Sequence, residues 1–175
     1  FTASARYDGS SKLAVGNKWA LFPSAAFAWR VKEEAFLRDV DWLNDLKLRL
    51  SYGRTGNDSV SPYSTNGTIS GTRYYVFGQD VLGNVPNNLR NDALTWEKSA
   101  EFNVGVDFGL FRNRIAGSVE LYNRLTTDLI MNRSVPTHLG YSAITDNVGS
   151  VRNKGVEVML NTVNVVSGSF KWSTV

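Results

Sequence analysis

An all-β fold, part of the wall of a large antiparallel transmembrane β-barrel, is what this sequence predicts, and three observations predict it. The first is period-two patterning, clearest at 100–124. There Phe102, Val104, Val106 and Phe108 alternate with Glu101, Asn103, Gly105 and Asp107. Beyond "GLFRN" the apolar set moves to odd positions, with Ile115, Val119 and Leu121 facing one way and Ala116, Ser118, Glu120 and Tyr122 the other. Such alternation marks strands with one apolar and one polar face. The second is connection length, because long polar connections fall at one end of the sheet and short turns at the other, as in outer-membrane barrels. The third is the aromatics. Trp29, Phe36, Trp42, Phe108, Phe111, Phe170 and Trp172 gather toward the short turns, and Tyr7, Trp19, Tyr52 and Trp96 toward the long loops. Two bands suit two membrane interfaces.

Taken in order, residues 1–7 set Phe1, Ala3, Ala5 and Tyr7 against Thr2, Ser4 and Arg6, and Asp8-Gly9 signals a turn into a loop. Residues 18–31 set Ala25, Phe27 and Trp29 against Ser24, Ala26, Ala28 and Arg30. Pro23 in this strand has no N–H to donate and marks an edge or a bulge. A turn with a short helix follows. Leu46, Leu48, Leu50 and Tyr52 then oppose Lys47, Arg49 and Ser51, and Gly53, Gly56 and Asn57 release the chain. Residues 55–95, rich in Gly, Asn, Ser and Thr, form a long connection, of a length that tends to be functional. After it comes the hairpin at 100–124. Its parity switch predicts Phe108 opposite Ile115, Val104 opposite Val119 and Asn103 opposite Glu120. A polar loop covers 125–144. Val156, Val158 and Leu160 then oppose Glu157, Met159 and Asn161, with Gly155 at a bend near the start of that strand. Residues 164–169 read as a short turn and 170–175 as a last partial strand. The count is about seven strands.

Composition excludes little else. The chain has 175 residues, no cysteine and a net charge of +3, too small to argue for nucleic acid. No apolar run approaches the ~18 residues of a membrane helix. Both ends fall in mid-pattern, so a fragment of a longer protein is expected, with any targeting signal outside it.

Alternation alone leaves two readings of the apolar face. A β-sandwich buries it against a second sheet, while a membrane barrel turns it to lipid and turns the polar face to a wet lumen. On the barrel reading, Lys47, Arg49, Glu101, Asn103, Asp107, Glu120 and Glu157 are lumen-facing wall residues, cross-linked by ion pairs.

Several phrases carry a resemblance: "RYDGSS" (6–11), "WALFPSAAFAWRVKEEAF" (19–36), "WLNDLKLRLSYGRTGN" (42–57), "LTWEKSAEFNVGVDFGLFRNRIAGSVELYNRLTTDLI" (94–130) and "NVGSVRNKGVEVML" (147–160). In this order and spacing they resemble the SusC/RagA-type TonB-dependent transporters of the outer membrane. The resemblance implies a barrel of about 22 strands. Residues 1–175 would be a segment of its single barrel domain, without the plug domain or the closing C-terminal strand, and 55–95 a long extracellular loop. It also implies a multi-pass barrel in the outer membrane of a Gram-negative bacterium, in contact with outer-membrane lipid. The whole protein would import oligosaccharides or peptides with a SusD-like surface lipoprotein, and would be driven by TonB through a missing N-terminal region. Neither catalysis nor a cofactor has a part in it.

Candidate contact chemistry sits in the long loop, where Arg73, Tyr74, Tyr75 and Phe77 either stack on sugars or meet a partner protein, or else pack the loop on itself. His138 is the sole histidine and there is no cysteine, so no metal site is expected. The carboxylates of the polar face read as lumen lining in preference to a glycosidase pair. The alternative function is a soluble carbohydrate-binding β-sandwich module, which would fold without detergent where a piece of barrel would not.

Overall fold

The computed structural model describes residues 1–141 and 143–175. Strand formation dominates: β1 (Thr2–Gly9), β2 (Trp19–Arg30), β3 (Leu43–Asn57), β4 (Thr68–Val76), β5 (Gln79–Asn88), β6 (Glu97–Leu110), β7 (Ile115–Thr127), β8 (Ile130–Ser134), β9 (Ala143–Asn147), β10 (Ser150–Ser167) and β11 (Phe170–Thr174). One-turn 3-10 helices lie at Val31–Glu33 and Thr137–Leu139. Seven strands form one sheet in the order β1-β2-β3-β6-β7-β10-β11, and each of its pairs is antiparallel. The other four make two separate hairpins, β4–β5 and β8–β9, inside connections that alternation had assigned to polar loop. Gly71, Gly83, Asn84, Pro86 and Asn87 interrupt the period-two pattern in β4 and β5. Their own ladder, from Val76↔Gln79 back to Thr68↔Asn88, holds them together.

Continuous registers let whole rows be followed across the wall. Leu50–Val104–Leu121–Val156 is one row, and Leu48–Val106–Val119–Val158 is the next on the same face. Arg49–Gly105–Glu120–Glu157 lies between them on the opposite face. From Phe102 to Leu110 the strand rises about 27 Å. A barrel tilt of about 40° reduces this to roughly 20 Å, near the ~25 Å apolar band of such barrels. The apolar face is uncovered: Phe102 is 47% exposed, Val158 68% and Trp172 56%. Among the described residues no second sheet lies over it.

The hairpin register differs from expectation by two residues. Val104 pairs with Leu121, Asn103 with Tyr122, Phe108 with Gly117, and Leu110 closes the ladder on Ile115. Parity is unchanged, so the faces stand. The reason is a tighter turn than the composition of "GLFRNR" suggests. Phe111, Arg112 and Asn113 take φ of 53, 58 and 60° in succession, and the turn is clamped by Phe111 N–H donating to Trp42 O at 2.7 Å and Arg112 N–H donating to Asn44 Oδ1. Asn113 folds back over Gly109, where a Cβ would collide with its Oδ1.

Pro23 sits one residue beyond Ser24↔Gly53, where pairing of β2 with β3 stops, so its missing donor falls at a local edge. The expected turn at 164–169 is shorter than predicted. β10 continues to Ser167 through a bulge between Val163 and Val165. Asn164 fills the bulge, donating from Nδ2 to Thr174 Oγ1 at 2.7 Å and accepting from Thr162 at 3.0 Å. At the short-turn end Lys32 Nζ ties the connection after β2 by donating to the carbonyls of Leu37, Arg38 and Val40 at 2.9, 3.0 and 2.8 Å.

Candidate functional site

Two assemblies face open space: the inner wall and the long-loop end. On the wall, Arg49 forks onto Asp107, with Nε to Oδ2 and Nη2 to Oδ1 both at 2.9 Å, and reaches Glu120 at 3.7 Å. Bidentate pairs of this kind fix geometry as well as charge. Gly105 makes the reach possible, because a Cβ there would stand 2.9 Å from Arg49 Nη2. A second set centres on Glu101, which accepts from Arg124 and from Asn103 Nδ2 at 2.9 Å. Asn103 Oδ1 is buried and has no hydrogen-bond partner among the described residues. The wall thus joins Arg49, Asp107 and Glu120 in one set, and Glu101, Asn103 and Arg124 in another. Lys47 and Glu157 share the face but, among the described residues, take no part in an ion pair. Lys47 is opposite Asp107 in register, yet the carboxylate is already engaged by the arginine. A hollow of about 390 Å³ is lined by Glu101, Asn103, Glu120, Arg124 and Glu157 with Tyr122. Fixed donors and acceptors set on a sheet in this way can hold a hydrated polar surface.

At the long-loop end the chain covers its own apolar groups. Leu13, Phe22, Leu94 and Trp96 form a buried cluster, with Ala20 and Val60 packed against it. Phe22 meets Trp96 edge-on at 5.5 Å, and Trp96 Nε1 donates to Lys18 O at 3.2 Å. Trp96 therefore belongs to this core and not to the membrane-interface band where sequence placed it. Tyr7 and Trp19 do face outward, stacked at 5.1 Å. Beside the cluster lies a polar lock. Asn147 accepts from Thr95 N–H at 2.8 Å and donates to Thr95 O and Asp128 O at 2.9 and 2.8 Å. Asn91 Nδ2 donates to Thr145 O at 2.8 Å and to Asp146 Oδ1 at 3.2 Å. Burial works to raise the Asp146 pKa, but hydrogen bonds from Arg133, Asn91 and the Asn147 amide, with the Arg133 charge, hold it below its ordinary 3.8. Cluster and lock grip the returning base of the long loop from two sides. Neither was legible in advance, although the Asn and Asp residues beside strand starts, in "NDALTW" and "TDN", were the available signal.

Beyond that base stands the hairpin with the four loop candidates. Phe77 is fully exposed at its tip and holds φ of 49°, a left-handed conformation that costs an aromatic residue free energy. Tyr75 is 77% exposed. Tyr74 instead lays its ring over Gly83, and Arg73 pairs with Asp80 at 3.5 Å. All four candidates are thus exposed, Tyr75 and Phe77 standing clear while Tyr74 and Arg73 also touch their own hairpin.

A protein-family model described as "TonB dependent receptor-like, beta-barrel" matches residues 1–175. The TonB-dependent receptor P3 of Formosa agariphila is 42% identical over 99% of this chain, which spans 17% of that relative. The TonB-dependent receptor SusC of Bacteroides thetaiotaomicron is 37% identical over 98%, and here the chain spans 18% of the relative. Among solved structures, the RagAB peptide importer in its closed-closed state superposes with a TM-score of 0.85 at 31% identity, covering 97% of this chain and 18% of that one. The open-open state of the same importer superposes at 0.82.

Proposed function

This chain belongs to the TonB-dependent receptor β-barrel family and is a stretch of outer-membrane barrel wall, and from that premise we propose that the whole protein is an active importer of oligosaccharides or peptides. Residues 1–175 supply wall and surface loops of its single barrel domain, with 55–95 as an extracellular loop. A plug, a SusD-like surface lipoprotein and energy drawn through TonB complete the machine, whose work is transport and not bond-making chemistry. The observation that carries this reading is the division of one sheet into an uncovered apolar face and a charged, cross-linked inner face, with the two longest connections at one end. That division is what a barrel wall needs, with lipid on one side and a wet lumen on the other. Lys47, Arg49, Glu101, Asn103, Asp107, Glu120 and Glu157 then line the path, and Arg73, Tyr74, Tyr75 and Phe77 meet substrate or lipoprotein outside.

The test is uptake by cells whose sole importer is the full-length protein, offered fluorescent oligosaccharides and peptides of matched size. Accumulation of one class, abolished by a proton uncoupler, is the expected result. Uptake that ignores the uncoupler, or labelled substrate that never passes the outer membrane, overturns the proposal. Phe77→Ala is expected to lower uptake at unchanged barrel abundance.

A further inference from the structure

On the outward face basic residues enter the apolar rows toward the long-loop end. Above Leu50–Val104–Leu121–Val156 comes Tyr52–Phe102–Asn123–Lys154, and above that Arg54–Ala100–Leu125–Arg152. Two rows therefore bring three basic residues to the outward face. Arg54, Arg152 and Lys154 are all exposed, and among the described residues none of them enters a salt bridge or a side-chain hydrogen bond. No carboxylate shares these two rows, since Glu101 and Glu157 alternate to the inner face. The contrast with that inner face is direct, because there Arg49 and Arg124 are each matched by an acid. Beneath the basic rim lies a groove of about 520 Å³, lined by Phe102, Val104, Leu121, Asn123, Lys154 and Val156.

A cation at the edge of hydrocarbon is costly unless it reaches a polar layer and an anion. Arginine forks and lysine ammonium groups are suited to phosphate oxygens. We propose that this patch docks an acyl lipid with a net-anionic phosphate headgroup, drawn from the outer leaflet. Its chains lie along Phe102, Val104, Leu121 and Val156, and its phosphate sits among Arg54, Arg152 and Lys154. Arg54 on β3 and Arg152 on β10 stand three strand spacings apart, about 14 Å, and Lys154 lies two residues below Arg152, about 7 Å. The site depends on the outer-membrane barrel and not on the transport reading, so uptake and lipid binding can fail separately.

The test is native mass spectrometry of the full-length protein in non-ionic detergent, with dioleoylphosphatidylglycerol and dioleoylphosphatidylcholine as probes that share acyl chains and differ in net charge. The anionic lipid is expected to be retained in preference by about tenfold or more, given what each basic residue near a membrane surface contributes. Arg54→Ser/Arg152→Ser/Lys154→Ser is expected to lose the preference, and Arg54→Lys/Arg152→Lys/Lys154→Arg to keep it. Val156→Trp, which fills the groove, should weaken both lipids alike. Heat-modifiable gel mobility reports whether each barrel has formed, and the single serine variants are read if the triple one has not. Equal retention of the two lipids by the native protein, or an undiminished preference in the serine variants, overturns the proposal. So does displacement of the lipid by inorganic phosphate at equal concentration, which would assign the basic rim to free anions.

Discussion

Phe102 and Phe22 both lie on strands of the seven-stranded sheet, yet Phe102 is 47% exposed and Phe22 only 6%. Phe102 belongs to the wall, where apolar side chains stand in rows with no protein over them. Phe22 belongs to the long-loop end, where Leu13, Leu94 and Trp96 close around it. One chain thus removes apolar surface from water in two ways, by leaving it to lipid and by packing it on itself. The difference teaches that the two regions answer to different solvents, so mutations in them should fail in different assays.

The largest expected effect is in the packed region. Leu94 is 0% exposed, and Leu94→Ala should cost about 2–5 kcal/mol of local stability through lost contacts and a cavity. Hydrogen exchange at the base of the long loop should accelerate while the barrel stays heat-modifiable. If assembly fails instead, the two regions are not separable.

Next comes the wall. Val104→Arg places a charge at mid-membrane and should cost about 2–4 kcal/mol, lowering the yield of full-length barrel in the membrane. Asn103→Arg, one residue along and on the inner face, should be tolerated better. A spin label at position 104 should be relaxed by lipid-dissolved oxygen and shielded from a polar reagent, and one at 103 the reverse. The opposite result would exchange the two faces.

The polar lock is smaller. Asn147→Ala removes partners from Thr95 and Asp128 and should cost about 1–3 kcal/mol. It should be read as faster exchange of the Thr95 amide with the wall strands unchanged. Faster exchange throughout β6 would mean that lock and wall are one unit.

The smallest effect is the pH dependence of Asp146. Its pKa is lower in the folded chain than in the unfolded one, so the stabilisation it gives is fully present above its ordinary 3.8. That stabilisation fades as pH falls from there through the depressed folded value. Pepsin cleavage within 130–147 should therefore rise across that acid window, and Asp146→Asn should flatten the response. A native profile as flat as the variant's would show that the carboxylate does not hold the hairpin.

The wall was legible because a strand repeats every two residues and each strand of 100–124 needs one apolar face. That parity survives a register shift of two, which is why the hairpin pairing differs from expectation while the side chains stay sorted into the same two sets. The turn escaped because three successive left-handed residues depend on Trp42 and Asn44, far off in sequence. The hairpins β4–β5 and β8–β9 escaped because glycine, asparagine and proline break their alternation. Of the inner-face residues, Arg49 and Asp107 could be placed on one side by parity alone. That Arg49 bonds Asp107 while Lys47 stays unpaired depends on where a guanidinium can pass over Gly105.

By itself, then, the sequence determined the strands of the wall, their two faces and the end that carries the long connections, since these follow from side-chain period and local turn chemistry. The tertiary structure alone decided which residues leave the membrane-facing set. Trp96 carries the same apolar signal as its neighbours, and it is buried together with Phe22, which lies outside that set, because loop residues 13 and 94, far apart in sequence, close over both. Hydrophobicity says that a side chain will leave water, but only long-range packing says whether lipid or protein receives it.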